Sequence, residues 1–178
     1  MIRRPAFTRL APLLLAFAPL LSGCGLHPLY SNGTHGVVGQ FLGSVDVAGI
    51  DGKAGWLMRN ALSDRFGKTS STAARYRLEV ELDDKITGFG LRRDSAVTRE
   101  RRALRARYKL IESGSGTVVL DATAGSDESV DVVSSEYATI AAENSALERL
   151  SQVVADQIVA RVALYAEHTR ADGATLAP

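Results

Sequence analysis

Two stretches of strict alternation followed by a long helical period restrict this chain more than any other feature. Tyr76, Leu78, Val80 and Leu82 alternate with Arg77, Glu79, Glu81 and Asp83, a period of two that suits a strand with one buried and one wet face. A second alternation sets Leu104, Ala106, Tyr108 and Leu110 against Ala103, Arg105, Arg107 and Lys109. From about Ser135 to Tyr165 the period becomes helical, with Ile140, Leu147, Leu150, Val154, Ile158, Val162 and Tyr165 on one stripe. A long amphipathic helix must lay that stripe on an apolar surface, and the alternating strands supply one.

The remaining elements follow from shorter signals. Val45, Val47 and Ile50 suggest a brief first strand, and Asp51-Gly52 a helix start. Lys53 to Phe66 then places Leu57, Met58, Ala61, Leu62 and Phe66 on one face; Trp56 reads as core, and Gly67 as the C-terminal cap. Gly88, Gly90 and Arg92-Arg93-Asp94-Ser95 mark one turn, and Ser113-Gly114-Ser115-Gly116 another. Val118, Leu120, Ala122 and Ala124 mark a fourth strand, and residues 168–178 carry no period and read as a flexible tail. The expected fold is α+β: a two-layer sandwich of about four mostly antiparallel strands with two helices on one face, a single domain over residues 44–167. A length of 178 residues with 46% hydrophobic side chains supports one such core and excludes a disordered chain. The formal charge of +1 argues against a nucleic-acid binder.

The N-terminus reads as an export signal over residues 1–23. Arg3, Arg4 and Arg9 precede an apolar run from Leu10 to Leu21, too short to span a bilayer, which takes about 20 residues. Without those three arginines, 18 basic residues stand against 20 acidic ones, a charge of −2. Leu21-Ser22-Gly23-Cys24 contains the only cysteine and resembles the lipobox of bacterial lipoproteins. The resemblance implies that the Cys24 thiol takes up diacylglycerol, that the signal is cut before it, and that the new amino group is acylated, palmitate being the expected kind of chain. Such an anchor exceeds the two signals that stable membrane attachment needs. Gly25 in place of Asp implies, by the sorting rule of enteric bacteria, the outer membrane. The alternative, a buried or redox cysteine beside an ordinary export signal, leaves the run Leu21-Ser22-Gly23 directly before Cys24 a coincidence. Residues 24–43, with Pro28 and several glycines, read as a lipidated tether.

The lipobox, the run Cys24-Gly25-Leu26-His27-Pro28-Leu29-Tyr30, and the order of strand, helix, three meandering strands and long last helix together resemble the LptE family of lipopolysaccharide-assembly lipoproteins, in its alphaproteobacterial form. That resemblance implies a partner, the LptD β-barrel, whose lumen the family's proteins occupy from the periplasmic side, and a ligand, lipopolysaccharide, delivered to the outer leaflet. It implies no enzymatic activity.

The residues by themselves offer little for catalysis. His27, His35 and His168 are the only histidines and lie in the expected tether and tail, so neither a Ser-His-Asp arrangement nor a zinc site is expected. Gly88-Phe89-Gly90 lacks the further glycine and the strand-to-helix context of a phosphate loop. No cofactor, metal or catalytic residue is expected.

Charge segregation is the remaining signal. Residues 92–109 hold the eight cations Arg92, Arg93, Arg99, Arg101, Arg102, Arg105, Arg107 and Lys109 against Asp94 and Glu100, whereas residues 112–148 hold eight acids and no Lys or Arg. Facing the apolar sides of the two alternating strands leaves two registers open. A turn centred near Asp94 sets Arg105 opposite Asp83, Arg107 opposite Glu81 and Lys109 opposite Glu79; one centred on Arg93 pairs Arg105 with Glu81 and Arg107 with Glu79. Either way the stem residues Arg105, Arg107, Lys109, Glu79, Glu81 and Asp83 form structural ion pairs. Arg92, Arg93, Arg99, Arg101 and Arg102 are then left near the hairpin tip without facing acids. They are the candidate lipopolysaccharide-binding residues, because guanidinium recognises phosphate and carboxylate through paired hydrogen bonds. The alternative is a structural lipoprotein that stabilises another envelope complex without binding lipid; a surface hydrolase with carboxylates that cannot be placed is a more distant third.

Overall fold

The structure is a computed structural model that describes residues 36–67, 74–91 and 97–175. Cys24, Arg92, Arg93 and the Asp94 turn lie outside the described residues. Three helices and four strands follow in the order α1 (Val37–Leu42), β1 (Val45–Val47), α2 (Gly52–Phe66), β2 (Tyr76–Leu91), β3 (Val97–Glu112), β4 (Val118–Asp131) and α3 (Glu136–Thr175). The strands form one mixed sheet in the order β1-β2-β3-β4, with β1 parallel to β2 and the other pairs antiparallel. The architecture is the α+β sandwich that the sequence implies.

Parity organises the sheet. Even-numbered residues of β2 and β3 face the helices, where Tyr76, Leu78, Leu104, Ala106, Tyr108 and Leu110 are buried, while Arg77, Glu79, Glu81, Arg105 and Arg107 are exposed on the outer face. The core is completed by Val45 and Val47 of β1, by Met58, Leu62 and Phe66 of α2, and by Leu147, Leu150, Val154, Ile158 and Val162 of α3. Asp51 takes the N-cap position of α2, and Gly67, at φ 83°, ends it in a conformation that disfavours side chains. Gly55 is required for contact, because a Cβ there would lie 2.4 Å from the Ile50 carbonyl oxygen.

The two long helices run parallel and side by side. Lys53 Nζ donates to Asn144 Oδ1 at 2.6 Å, and Arg65 pairs with Asp156, an equal advance along both helices. Fifteen residues of α2 rise only about 22 Å, whereas the sixteen residues of β2 extend about 50 Å. The forty residues of α3 reach about 60 Å. The sheet therefore has a near half under both helices and a far half, toward the β2–β3 hairpin end, crossed only by the first turns of α3.

Several expectations are corrected. There are three helices rather than two, because Val37–Leu42, assigned to the tether, folds as α1: Val38 and Leu42 are buried, and Phe41 stacks on Tyr76 with ring centroids 4.6 Å apart. Trp56 is 64% exposed; the buried arc of α2 centres on Gly55, Met58, Leu62 and Phe66, and a turn of roughly 100° per residue carries position 56 away from it. Ile140 is 47% exposed although it is in phase with the stripe, since it precedes Asn144 and so lies beyond the start of α2. Gly88 and Gly90 belong to β2 rather than to a turn, and the last helix continues past Tyr165 to Thr175.

Candidate functional site

The hairpin charges form three columns on the outer face. β2 contributes Glu79, Glu81 and Asp83; β3 contributes Arg99, Arg101, Arg105, Arg107 and Lys109; β4 contributes Asp121, Asp127 and Asp131. The β2–β3 register is the one centred near Asp94, with Glu79 opposite Lys109, Glu81 opposite Arg107 and Asp83 opposite Arg105. The ion pairs, however, run largely to the other neighbour. Arg107 donates to both carboxylate oxygens of Asp121, at 3.3 and 3.1 Å, and Arg105 reaches Asp127 at 3.7 Å and the Ser126 carbonyl at 2.9 Å. On β2 the acids pair within their own strand, Glu79 with Arg77 at 3.5 Å and Asp83 with Lys85 at 2.9 Å. The hydrogen bond from Arg107 is the main reason that the Asp121 carboxyl titrates below its ordinary range and the guanidinium above its own.

The expectation that Arg99, Arg101 and Arg102 face no acid is overturned. β4 lies in register on the far side of β3 and brings Asp131 opposite Arg99, where Nε donates to Oδ1 at 2.9 Å; Arg101 reaches Asp127 at 3.7 Å and also lies 5.4 Å from the Phe89 ring centroid. Arg102 differs more. Its even parity turns it toward the helices, where Nε and Nη2 donate to Asp84 at 2.9 and 2.5 Å and Nη1 donates to the Glu143 carbonyl at 2.8 Å. With its side chain 11% exposed, Arg102 ties the first turns of α3 to the sheet and is turned away from the outer face.

Around Arg102 the far half is polar under α3. Arg149 grips Glu128 with two nitrogens, and Thr139 is buried. Glu100 Oε2 is buried without a hydrogen-bond partner, and burial, reinforced by the neighbouring Glu143 carboxyl, pushes the Glu100 carboxyl above its ordinary range. Asp84, Arg149 and Glu128 are the residues that sequence reasoning missed here; the parity of positions 84, 100, 102 and 128 was the available signal. A depression of about 780 Å³ opens beside the three columns, lined by Glu81, Asp83, Arg105, Arg107 and Thr123 among others. Among the described residues no group of three or more His, Cys, Asp or Glu could hold a metal ion, and no helix is long and apolar enough to cross a membrane.

Solved structures share this arrangement. A candidate lipoprotein of Caulobacter crescentus is 22% identical with a TM-score of 0.64, over 75% of this chain and 98% of that one. The minor lipoprotein of Acinetobacter baumannii is 11% identical at a TM-score of 0.52, over 67% and 88% of the two chains. The rare lipoprotein B of Shewanella oneidensis is 11% identical at 0.51, over 72% and 95%. At these identities the likeness shows the fold alone. No curated protein sequence matches. The family model described as LptE, lipopolysaccharide-assembly, matches residues 42–162, from the end of α1 through most of α3. Its match spans the sheet and the three-column hairpin and covers well over half of the sequence, so the chain belongs to the LptE family of lipopolysaccharide-assembly lipoproteins.

Proposed function

We propose that this protein is an outer-membrane lipoprotein, anchored through Cys24, whose sandwich occupies the lumen of an LptD-type β-barrel from the periplasmic side and binds lipopolysaccharide on its way to the outer leaflet. Family membership supports the setting. The observation that carries lipid binding is the outer face of β3 in the far half. There Arg99 and Arg101 remain more than half exposed, and Arg101 holds Asp127 only at 3.7 Å. Arg92 and Arg93 follow β2 directly in the sequence. Phosphate oxygens of lipid A can exchange with a carboxylate held that loosely, and the guanidinium plane suits them. Arg102 is assigned instead to holding α3.

The test is binding of purified lipopolysaccharide by variants of matched thermal stability. Arg92→Glu with Arg93→Glu, and Arg99→Glu with Arg101→Glu, should weaken binding, and more salt should weaken the wild type. Undiminished binding by both pairs would defeat the assignment. The anchor is tested separately: fatty-acid labelling should vanish in Cys24→Ser, because the thiolate is the nucleophile. A second reading, a structural lipoprotein without lipid contact, is favoured by the pairing of Arg99, Arg105 and Arg107 with β4 acids. It requires the same charge reversals to cost stability, and the wild type to show no salt-sensitive lipopolysaccharide binding for them to weaken.

A further inference from the structure

The two outer edges of the sheet are treated differently. Along β4 the last helix covers the edge: Gln157 Oε1 accepts the Gly125 N–H at 3.1 Å, and Arg149 holds Glu128. Along β2 only the first residues are covered. Tyr76 N–H donates to the Ser44 carbonyl, and the Leu78 carbonyl accepts from Ala48 N–H, after which β1 departs. In a parallel pair a residue that bonds its neighbour points both N–H and C=O that way, and directions alternate along the strand. The same side of β2 therefore presents the backbone groups of Leu82, Asp84, Ile86 and Gly88, and among the described residues no backbone partner from another element meets them. Such an edge is a template for a further strand.

We propose that this edge takes an extended segment of a partner protein that alternates basic and apolar side chains. Charge complementarity sets the basic half. On the outer face the new strand would lie beside Glu81, which has no ion pair among the described residues, and beside Asp83, whose one ion pair is with the exposed Lys85 at 2.9 Å, while the β3 guanidinia opposite these acids are drawn to Asp121 and Asp127. Packing sets the apolar half. On the helix face the strand would lie beside half-buried Leu82 and Ile86, the latter 44% exposed where α2 no longer covers the sheet. A second copy of this chain is the competing occupant, since antiparallel pairing of two β2 strands centred on Glu81 sets acids against like charges whereas pairing centred on Asp84 sets Asp83 against Lys85. Outside the described residues the chain has no Lys or Arg at alternate positions, so the basic pattern points to another protein. The inference does not depend on lipid binding.

The protein as its cell processes it, held in mild detergent, should be titrated with a short synthetic peptide alternating lysine and valine. A glutamate-valine peptide, and the lysine peptide N-methylated at alternate residues, serve as controls. The lysine peptide should bind at least about ten-fold tighter than either, and amide exchange should slow at Leu82, Asp84, Ile86 and Gly88 but not at Gly125. Glu81→Lys with Asp83→Lys should reverse the preference between the two charged peptides. Ile86→Pro, which removes an outward N–H that β3 does not use, should weaken binding at a nearly unchanged melting temperature. Equal binding of the three peptides, slowed exchange on β4 instead, or protection of the β2 edge by self-association without peptide would each overturn the proposal.

Discussion

The near and far halves of one sheet are held by different chemistry. In the near half, Leu78, Leu104, Tyr108 and Leu110 meet Met58, Leu62, Leu150, Val154 and Ile158, and both long helices cover the strands. In the far half, the layer between β3 and the first turns of α3 is built around Arg102, Asp84 and the Glu143 carbonyl, with Glu100 partly unsatisfied and the exposed Arg149–Glu128 pair at its β4 margin. Burial of apolar area stabilises without regard to direction, whereas a polar layer is favourable only when every group finds its partner. The near half is thus the part that makes the domain fold, and the far half is positioned on it by a few directional bonds.

Charge placed in the near half should have the largest effect. Val154→Asp or Leu150→Asp buries a carboxylate among aliphatic side chains and should cost more than about 4 kcal/mol, enough to unfold much of the protein at 37 °C. Arg149→Ala, one residue from Leu150 on the exposed side, should melt close to wild type. Comparable melting of Val154→Asp and Arg149→Ala would erase the distinction between the halves.

Next comes Arg102→Ala, which leaves Asp84 and the Glu143 carbonyl without their donor. A loss of about 2–4 kcal/mol is expected, with faster amide exchange over the first turns of α3 and little change between Leu150 and Val162. Uniform exchange along α3 would show that the far half does not open by itself.

Smaller and pH-dependent is Glu100→Gln. The Glu100 carboxyl titrates above its unfolded value of 4.5, so its protonated form is favoured by folding. Its contribution is fully present below that value and is lost as pH rises through the folded pKa. Glu100→Gln should therefore raise the melting temperature at pH 7 by on the order of a few degrees and have no effect at pH 3.5. Asp156, lowered chiefly by its bond from Arg65, has the opposite sign: its contribution is present above the unfolded value of 3.8 and fades as pH falls through the folded one. The smallest change should come from Arg107→Ala, on the outer face, where solvent screens the pair with Asp121; a clear loss of stability there would place structural weight on the columns.

These differences also explain what could be read in the sequence. Apolar alternation located β2 and β3, and the requirement that Tyr76 to Leu82 face the same side as Leu104 to Leu110 left two registers, one of which is found. Side-chain partners are harder to read, because guanidinia on a central strand choose between two neighbours and only the β3–β4 register brings the β4 acids alongside. Arg102 carried the parity of Leu104 and Ala106, yet its charge drew it into the group at the tip. Helix α1 is too short to show a period, and its place depends on Phe41 meeting Tyr76 and Tyr165, contacts remote in sequence. The exposure of Ile140 follows from where α2 begins relative to α3, a tertiary offset that no local pattern carries.

The claim that lipopolysaccharide meets the far half of the outer face is tested most directly by photo-crosslinking in the living cell. A photoreactive residue at Thr87, in the far half, should form lipopolysaccharide adducts, whereas the same residue at Arg77, on the same face of the near half, should not. Adducts at Arg77 alone, or none at either position, would contradict the account.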